Sequence, residues 1–341
     1  MNAAATISNQ PAKDTMFDQL FGPDARANQQ RWVRSDTNPL ISPEGTGWAD
    51  DFIAACTIVE HDGELRLFAE GSVGAHEQIG LFLAPSDRPA QATWKEHPTN
   101  PILRNGTGFD RGGVFDPAVV KFQDRWLMYY SATEGDAHAF AEQLEHGTAS
   151  DEPADETIGL AVSEDGIEFT KHPDSPVLTA RCPFAVVHED VVYLFYVKIT
   201  DGGYRVHLVT STDGVSFTGA DRSPVLDAGP AGSWDAYTVT TPKVFRDGDH
   251  WYMTYAGDAS RLDDPTGIGL AVSDDLRTWT KIPGNPIFTV GSAEGFDSVS
   301  VASPIVRRHG HRYYMWYAGS DRSIRDGLHS QVGLAWVSEE R

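Results

Sequence analysis

The residues best placed to do chemistry are carboxylates at the entries to short β-strands, with one arginine among them. "WADDF" holds Asp50 and Asp51, "VFDP" holds Asp116, "SWDAY" holds Asp235, and "RCP" holds Arg181. Carboxyl groups in such a set divide acid and base work: a protonated one donates, an ionised one accepts or attacks. An arginine beside them binds phosphate or a carboxylate through its guanidinium fork, or forms an ion pair with Asp116 or Asp235. A single charge of this kind is ordinarily a solvated loop residue. Several converging on one mouth indicate a site.

The elements that must position these residues recur. "WLMYYSA" (Trp126 to Ala132) has counterparts in "LRLFAEG", "VYLFYVK", "WYMTYAG" and "YYMWYAG". Each copy follows a strand and a tight turn such as "HDGE" or "RDGDH". A third strand follows each, as in "IGLAVSEDG" and "IGLAVSDDL", and a fourth ends in "NPIL", "SPVL" or "NPIF". Units of four strands about every 60 residues predict an all-β fold, a five-bladed β-propeller. The fifth copy ends after its third strand. "RWVRSDTNPLI" (Arg31 to Ile41) matches "TWTKIPGNPIF" (Thr278 to Phe288), so the N-terminal strand is expected to close the last blade. Residues 15–341 are then one domain, preceded by a flexible segment, 1–14.

In an up-and-down blade, the loop into strand one and the loop from strand two to strand three share a face. That face carries the long, varied loops where function concentrates, including "TEGDAHAFAEQLEHGTASDEPADE" (133–156), which reads as a lid or as an acidic loop. An aromatic-Asp pair recurs there: Phe109-Asp110, Trp234-Asp235 and Phe296-Asp297. A feature repeated in three blades favours a structural role, with Asp satisfying turn amides. Asp116 is different. Its neighbour Pro117 recurs as Pro183, Pro242 and Pro304, but Ala55, Cys182, Thr241 and Ser303 align with the carboxylate itself.

Composition narrows the partners. A formal net charge of −22 argues against nucleic acid and against an anionic membrane surface. Two cysteines, Cys56 and Cys182, make no disulfide framework and stand in no metal spacing. The first residues hold no apolar run of the kind that targets or spans a membrane, and the expected location is the cytoplasm. No cofactor and no metal are expected, because no calcium loop is recognisable. The oligomeric state is left open.

Repeat and carboxylates together resemble the five-bladed propeller glycosidases: glycoside hydrolase families 32, 43, 62 and 68, and the related mannoside phosphorylases and hydrolases of family 130. The resemblance spans nearly the whole chain as a repeat. In the fructosidase branch, "W-x-N-D-P-N" carries the nucleophile, and Asp51 of "WADDF" matches it without the Pro and Asn. Asp116 matches the transition-state Asp of "R-D-P", with Phe115 for the Arg. Arg181 stands where "E-C-P" places the acid. The resemblance implies a carbohydrate substrate and an exo-acting glycoside hydrolase. Glycoside cleavage needs one carboxyl to protonate the leaving oxygen and another to attack or to activate water. Glu134 and Asp235 are the candidates for the missing proton donor, among the carboxylates Glu70, Asp258 and Asp321 that end other second strands. Trp48, Asp50, Arg111, Arg181, Trp234 and Asp297 are candidate substrate-binding residues, with Lys243 near Arg181. An arginine opposite an acid also suits a phosphorylase, and a third reading is a non-catalytic carbohydrate-binding propeller.

Overall fold

The computed structural model describes residues 17–338 apart from 75, 90–92, 136–155, 201, 220–222, 262 and 323–328. Most of the 133–156 insertion and the whole of 1–14 therefore lie outside the described residues. Five antiparallel meanders follow one another. The N-terminal strand is β1 (Val33–Arg34). The first meander is β2 (Phe52–His61), β3 (Glu64–Val73), β4 (His76–Pro85) and β5 (Lys95–Glu96). The second is β6 (Gly113–Phe122), β7 (Arg125–Thr133), β8 (Glu156–Ser163) and β9 (Thr170–Lys171). The third is β10 (Arg181–His188), β11 (Val191–Thr200) and β12 (Gly203–Ser211). The fourth is β13 (Thr238–Asp247), β14 (His250–Asp258), β15 (Gly267–Ser273), β16 (Thr280–Lys281) and β17 (Phe288–Thr289). The fifth is β18 (Ser300–His309), β19 (Arg312–Ser320) and β20 (Ser330–Ser338). The second strands read as near-continuous apolar runs because both their faces are covered.

The recurrent sequence marks have local physical causes. The "NP" of each fourth strand places an amide against the third strand. Asn100 bonds both backbone groups of Leu81, Asn285 those of Leu270 and Asn38 those of Leu334, at 2.8–3.0 Å. Ser175 does the same for Leu160. One short side chain thereby continues the ladder where the backbone turns away.

Arg31 to Ile41 lies where the repeat places it. Val33 and Arg34 pair with Trp336 and Ala335 of β20, and Ile41 bridges Val332. The first strands touch in sequence, β2 to β6, β6 to β10, β10 to β13, β13 to β18, and β18 to β2. The hydrogen-bonded sheets themselves stay open. Apolar clusters fill the spaces between neighbouring meanders. Ile58, Leu67 and Phe82 of the first pack with Trp316, Val332 and Leu334 of the fifth. Among the described residues no helix is long and apolar enough to cross a membrane.

Candidate functional site

Each first strand begins with a β-bulge. The register slips at residues 116–117, 182–183, 241–242 and 303–304. Asp116, Cys182, Thr241 and Ser303 there have φ of 44–50°, the left-handed region that costs a non-glycine residue energy. In the first meander the slip falls between Ala55 and Thr57. Ala54 stands opposite Glu70 as Phe115 stands opposite Ser131, so Ala55 keeps the place of Asp116 and Cys56 that of Pro117. A bulge re-aims its side chain, and the contacts between first strands bring these bulges together.

The bulge amides are satisfied from the preceding meander. Ser131 Oγ accepts from Cys182 N at 2.8 Å and donates to Asp116 Oδ2 at 3.0 Å. Glu70 holds the corresponding place in β3, and its Oε2 accepts from Asp116 N at 2.6 Å. The same place is Val197, Ala256 and Ala318 in the other meanders. A serine suffices for the bond, so the fold does not require a carboxylate at Glu70. Cys56 Sγ and carboxyl oxygens of Glu70 and Asp116 lie within 4.8 Å of one another. Burial, then the charges of Asp116 and Glu77, push Glu70 well above the usual carboxylate range. Two close carboxyl groups cannot both ionise cheaply, which is the physical cause of that rise beyond burial. Lys243, two residues beyond its own bulge and buried, supplies a positive charge that both Glu70 and Cys56 feel. Burial raises both thiols as well, which makes them poor nucleophiles and poor metal ligands. Two donor types, one thiol and two carboxyl groups, are present for a cation, but the ammonium of Lys243 competes for Glu70.

Arg181 opens a second group. Its Nε stands 3.2 Å from Glu156 Oε2, its Nη1 3.8 Å from Asp263 Oδ1, and it donates to the Tyr204 hydroxyl. Glu156, Arg181 and Tyr204 line an open pocket together with Thr179, Ala180, Val197, Lys198 and Ile199. Burial pushes the Glu156 carboxyl up to about 7 against the opposing pull of Arg181, and the charges of Asp116 and Asp263 add to the rise. The ion pair expected of Arg181 exists, with Glu156 and Asp263 as its partners in place of Asp116 or Asp235.

The other expected residues fall elsewhere. Asp235 is buried, pairs with Lys281 Nζ at 2.5 Å and accepts from Tyr255 at 3.1 Å and Ser233 at 3.0 Å. Asp297 repeats this with Arg34 at 2.8 Å and Tyr317 at 2.9 Å, and Asp110 pairs with Lys171. The repeated Asp therefore ties a meander's entry to its second-strand Tyr or its outer strand; Asp235, expected as catalytic, and Asp297, expected in substrate binding, are held in these pairs. Trp48 is buried over Gly80, and half-buried Trp234 lies over Gly269 and stacks on Tyr255. Trp48 also donates to Glu96 at 2.6 Å. Glu134 and Arg111 face each other in an exposed pair at 3.4 Å. Asp50 accepts from Gly47 N at 2.8 Å, and exposed Asp51 accepts from Gly74 N at 2.6 Å. None of these contacts joins the cluster at Asp116. Of the expected residues, Asp116 stands in that cluster and Arg181 in the second group, whose Glu156 and Asp263 were not among the sequence candidates. Glu70 had been named only among several strand-end acids, and comparing the repeats one strand further out would have singled it out.

No protein-family model matches the chain. An uncharacterised protein of Mycobacterium tuberculosis is 24% identical over 247 residues, 70% of this chain and 77% of its own length. A "Probable sucrose-6-phosphate hydrolase" of Psychromonas ingrahamii is 34% identical over 104 residues, 29% of this chain and only 18% of its own. Among solved structures, a glycosyl hydrolase from Bacteroides ovatus has a TM-score of 0.68 at 14% identity, covering 96% of this chain and 97% of that one. A β-1,2-mannobiose phosphorylase from Listeria innocua has 0.66 at 15%, covering 90% and 96%. A thermostable family-43 glycoside hydrolase has 0.60 at 18%, covering 84% and 91%. The fold is shared with these proteins, as the repeat's resemblance led one to expect.

Proposed function

We propose that the five meanders are the blades of a five-bladed β-propeller and that the chain is an exo-acting glycoside hydrolase whose chemistry centres on Asp116 and Glu70. The circuit of contacts among the first strands supports the ring. The observation that carries the chemistry is the carboxyl pair itself: both members stand at repeat positions where the fold elsewhere uses Ser, Cys, Thr, Val or Ala. Burial and neighbouring charges favour the protonated form of Glu70, and Asp116 is taken as the carboxylate of the pair. A carboxylate there favours the positive charge that develops on a sugar ring during cleavage, and it can take the proton of an attacking water. Asp51, which the resemblance matched to the nucleophile, has no such part on this account, because it is solvent-exposed and accepts from Gly74 N.

Hydrolysis is favoured over phosphorolysis by the state of Arg181. Its guanidinium is already engaged by the carboxyl groups of Glu156 and Asp263 and by the Tyr204 hydroxyl, which leaves less of it for an entering phosphate. Release of sugar from a panel of aryl glycosides and disaccharides, run with and without phosphate, tests the reading. The expected result is phosphate-independent release. Release that requires phosphate makes the chain a phosphorylase, and tight sugar binding without turnover makes it a binding propeller. On the best substrate, Asp116→Asn should lower kcat about a hundredfold or more, with KM and melting temperature close to wild type.

A further inference from the structure

We propose that Glu156 is the proton donor to the leaving-group oxygen and that Arg181 is its positioning residue, an assignment that rests on the hydrolase reading above. Glu156 begins β8 opposite Thr133, at the end of the second meander that faces the bulges. It lines the pocket beside Arg181 and Tyr204. Its Oε2 and Arg181 Nε are buried and 3.2 Å apart, yet among the described residues neither atom has a hydrogen-bond partner, and neither has Asp263 Oδ2. Buried polar atoms are rarely left so, and a sugar oxygen entering the pocket would satisfy them. Tyr204 and Asp263 hold the guanidinium from its other side. Glu70, the rival acid, is spent on the backbone of Asp116.

The charged and titratable groups facing Glu156 are Arg181, Asp116, Asp263, Tyr204, Cys182 and, across the pocket, Lys198. A carboxyl held near 7 is protonated enough to donate at neutrality and acidic enough to let go. In the step, the bond from the anomeric carbon to the glycosidic oxygen breaks. Its electron pair stays on that oxygen, which takes the proton of Glu156. Water oxygen bonds to the anomeric carbon and yields its proton to Asp116. One water is consumed, and exchange with solvent returns both carboxyls to their starting states.

The test is a series of aryl glycosides whose phenols range from acidic dinitrophenol to weakly acidic phenol. Glu156→Gln should lower kcat by about a hundredfold or more on the weakly acidic leaving groups and little on dinitrophenol. Wild-type rate should fall as pH rises through about 7, because the acid form is lost, and this limb should vanish in Glu156→Gln. Arg181→Gln, which keeps the acid, should move the limb to higher pH by removing the charge that favours the carboxylate; this measurement stands even if Glu156→Gln does not fold. Uniform slowing by Glu156→Gln across the series, a limb that Arg181→Gln leaves in place, or leaving-group selectivity arising instead in Glu70→Gln overturns the assignment while leaving the hydrolase reading intact. A wild-type chain that cleaves no glycoside overturns both together.

Discussion

Asp116 and Asp235 are both aspartates at the entry to a first strand, and their contacts separate them. Asp235 is closed in by Lys281, Tyr255 and Ser233, as Asp297 is by Arg34 and Tyr317. Asp116 meets Glu70 through its backbone, and its carboxylate meets neutral groups, the Ser131 hydroxyl and the Cys182 thiol. Removing one partner of a buried ion pair strands the other, at a cost of about 3 kcal/mol. Asp235→Ala should therefore lower the melting temperature clearly while kcat on the best glycoside stays near wild type. That is the reverse of the Asp116→Asn pattern, and equal loss of activity in folded Asp235→Ala would restore Asp235 to the catalytic set. The difference between the two was half legible in sequence. Recurrence marked Asp235 as ordinary and Asp116 as singular, but nothing local showed which lysine or tyrosine would arrive to neutralise the ordinary one.

At the scale of elements, the aromatic residue before each entry explains the glycines of the repeat. The Trp48 ring lies over Gly71 and Gly80, Trp234 over Gly257, Gly267 and Gly269, and Phe296 over Gly319 and Gly333. A Cβ built on Gly80 overlaps the Trp48 ring, so here glycine is required by close approach. Gly80→Ala should destabilise by about 1–3 kcal/mol through overpacking, read as a lower denaturation midpoint with an unchanged slope. An unchanged midpoint would mean that Trp48 is free to move, and its role as an open sugar platform would return. The strands and turns were legible because each meander repeats its pattern in one short stretch. The site was not, because Glu70, Asp116, Glu156, Arg181, Lys243 and Asp263 come from four meanders and share no local spacing. Only the bulge position, repeated in each first strand, pointed toward it.

At the scale of the whole molecule, the segment before the first meander acts as a clamp on the last two. Phe17 is fully buried and packs its ring against Phe245 and Tyr252 of the fourth meander and Tyr313 of the fifth. Asp18 accepts from the Tyr252 hydroxyl at 3.0 Å, and Asn28 bonds the Gly284 carbonyl at 2.8 Å. Farther on, β1 pairs with β20, and Ile41 joins the cluster between the fifth meander and the first. The chain thus reaches three meanders with one short stretch, and this stretch covers the outer edge of β20 that would otherwise invite pairing with another chain. Truncating Phe17 removes a large buried ring whose neighbours come from two different meanders, and their separate sheets limit how far they can collapse into the space. The cost should sit at about 3–5 kcal/mol, seen as a melting temperature lowered by several degrees. Phe17 has no contact with the carboxyl cluster, so KM and kcat below the transition should match wild type. A Phe17→Ala protein that melts with wild type would show that the fourth and fifth meanders hold together without the clamp.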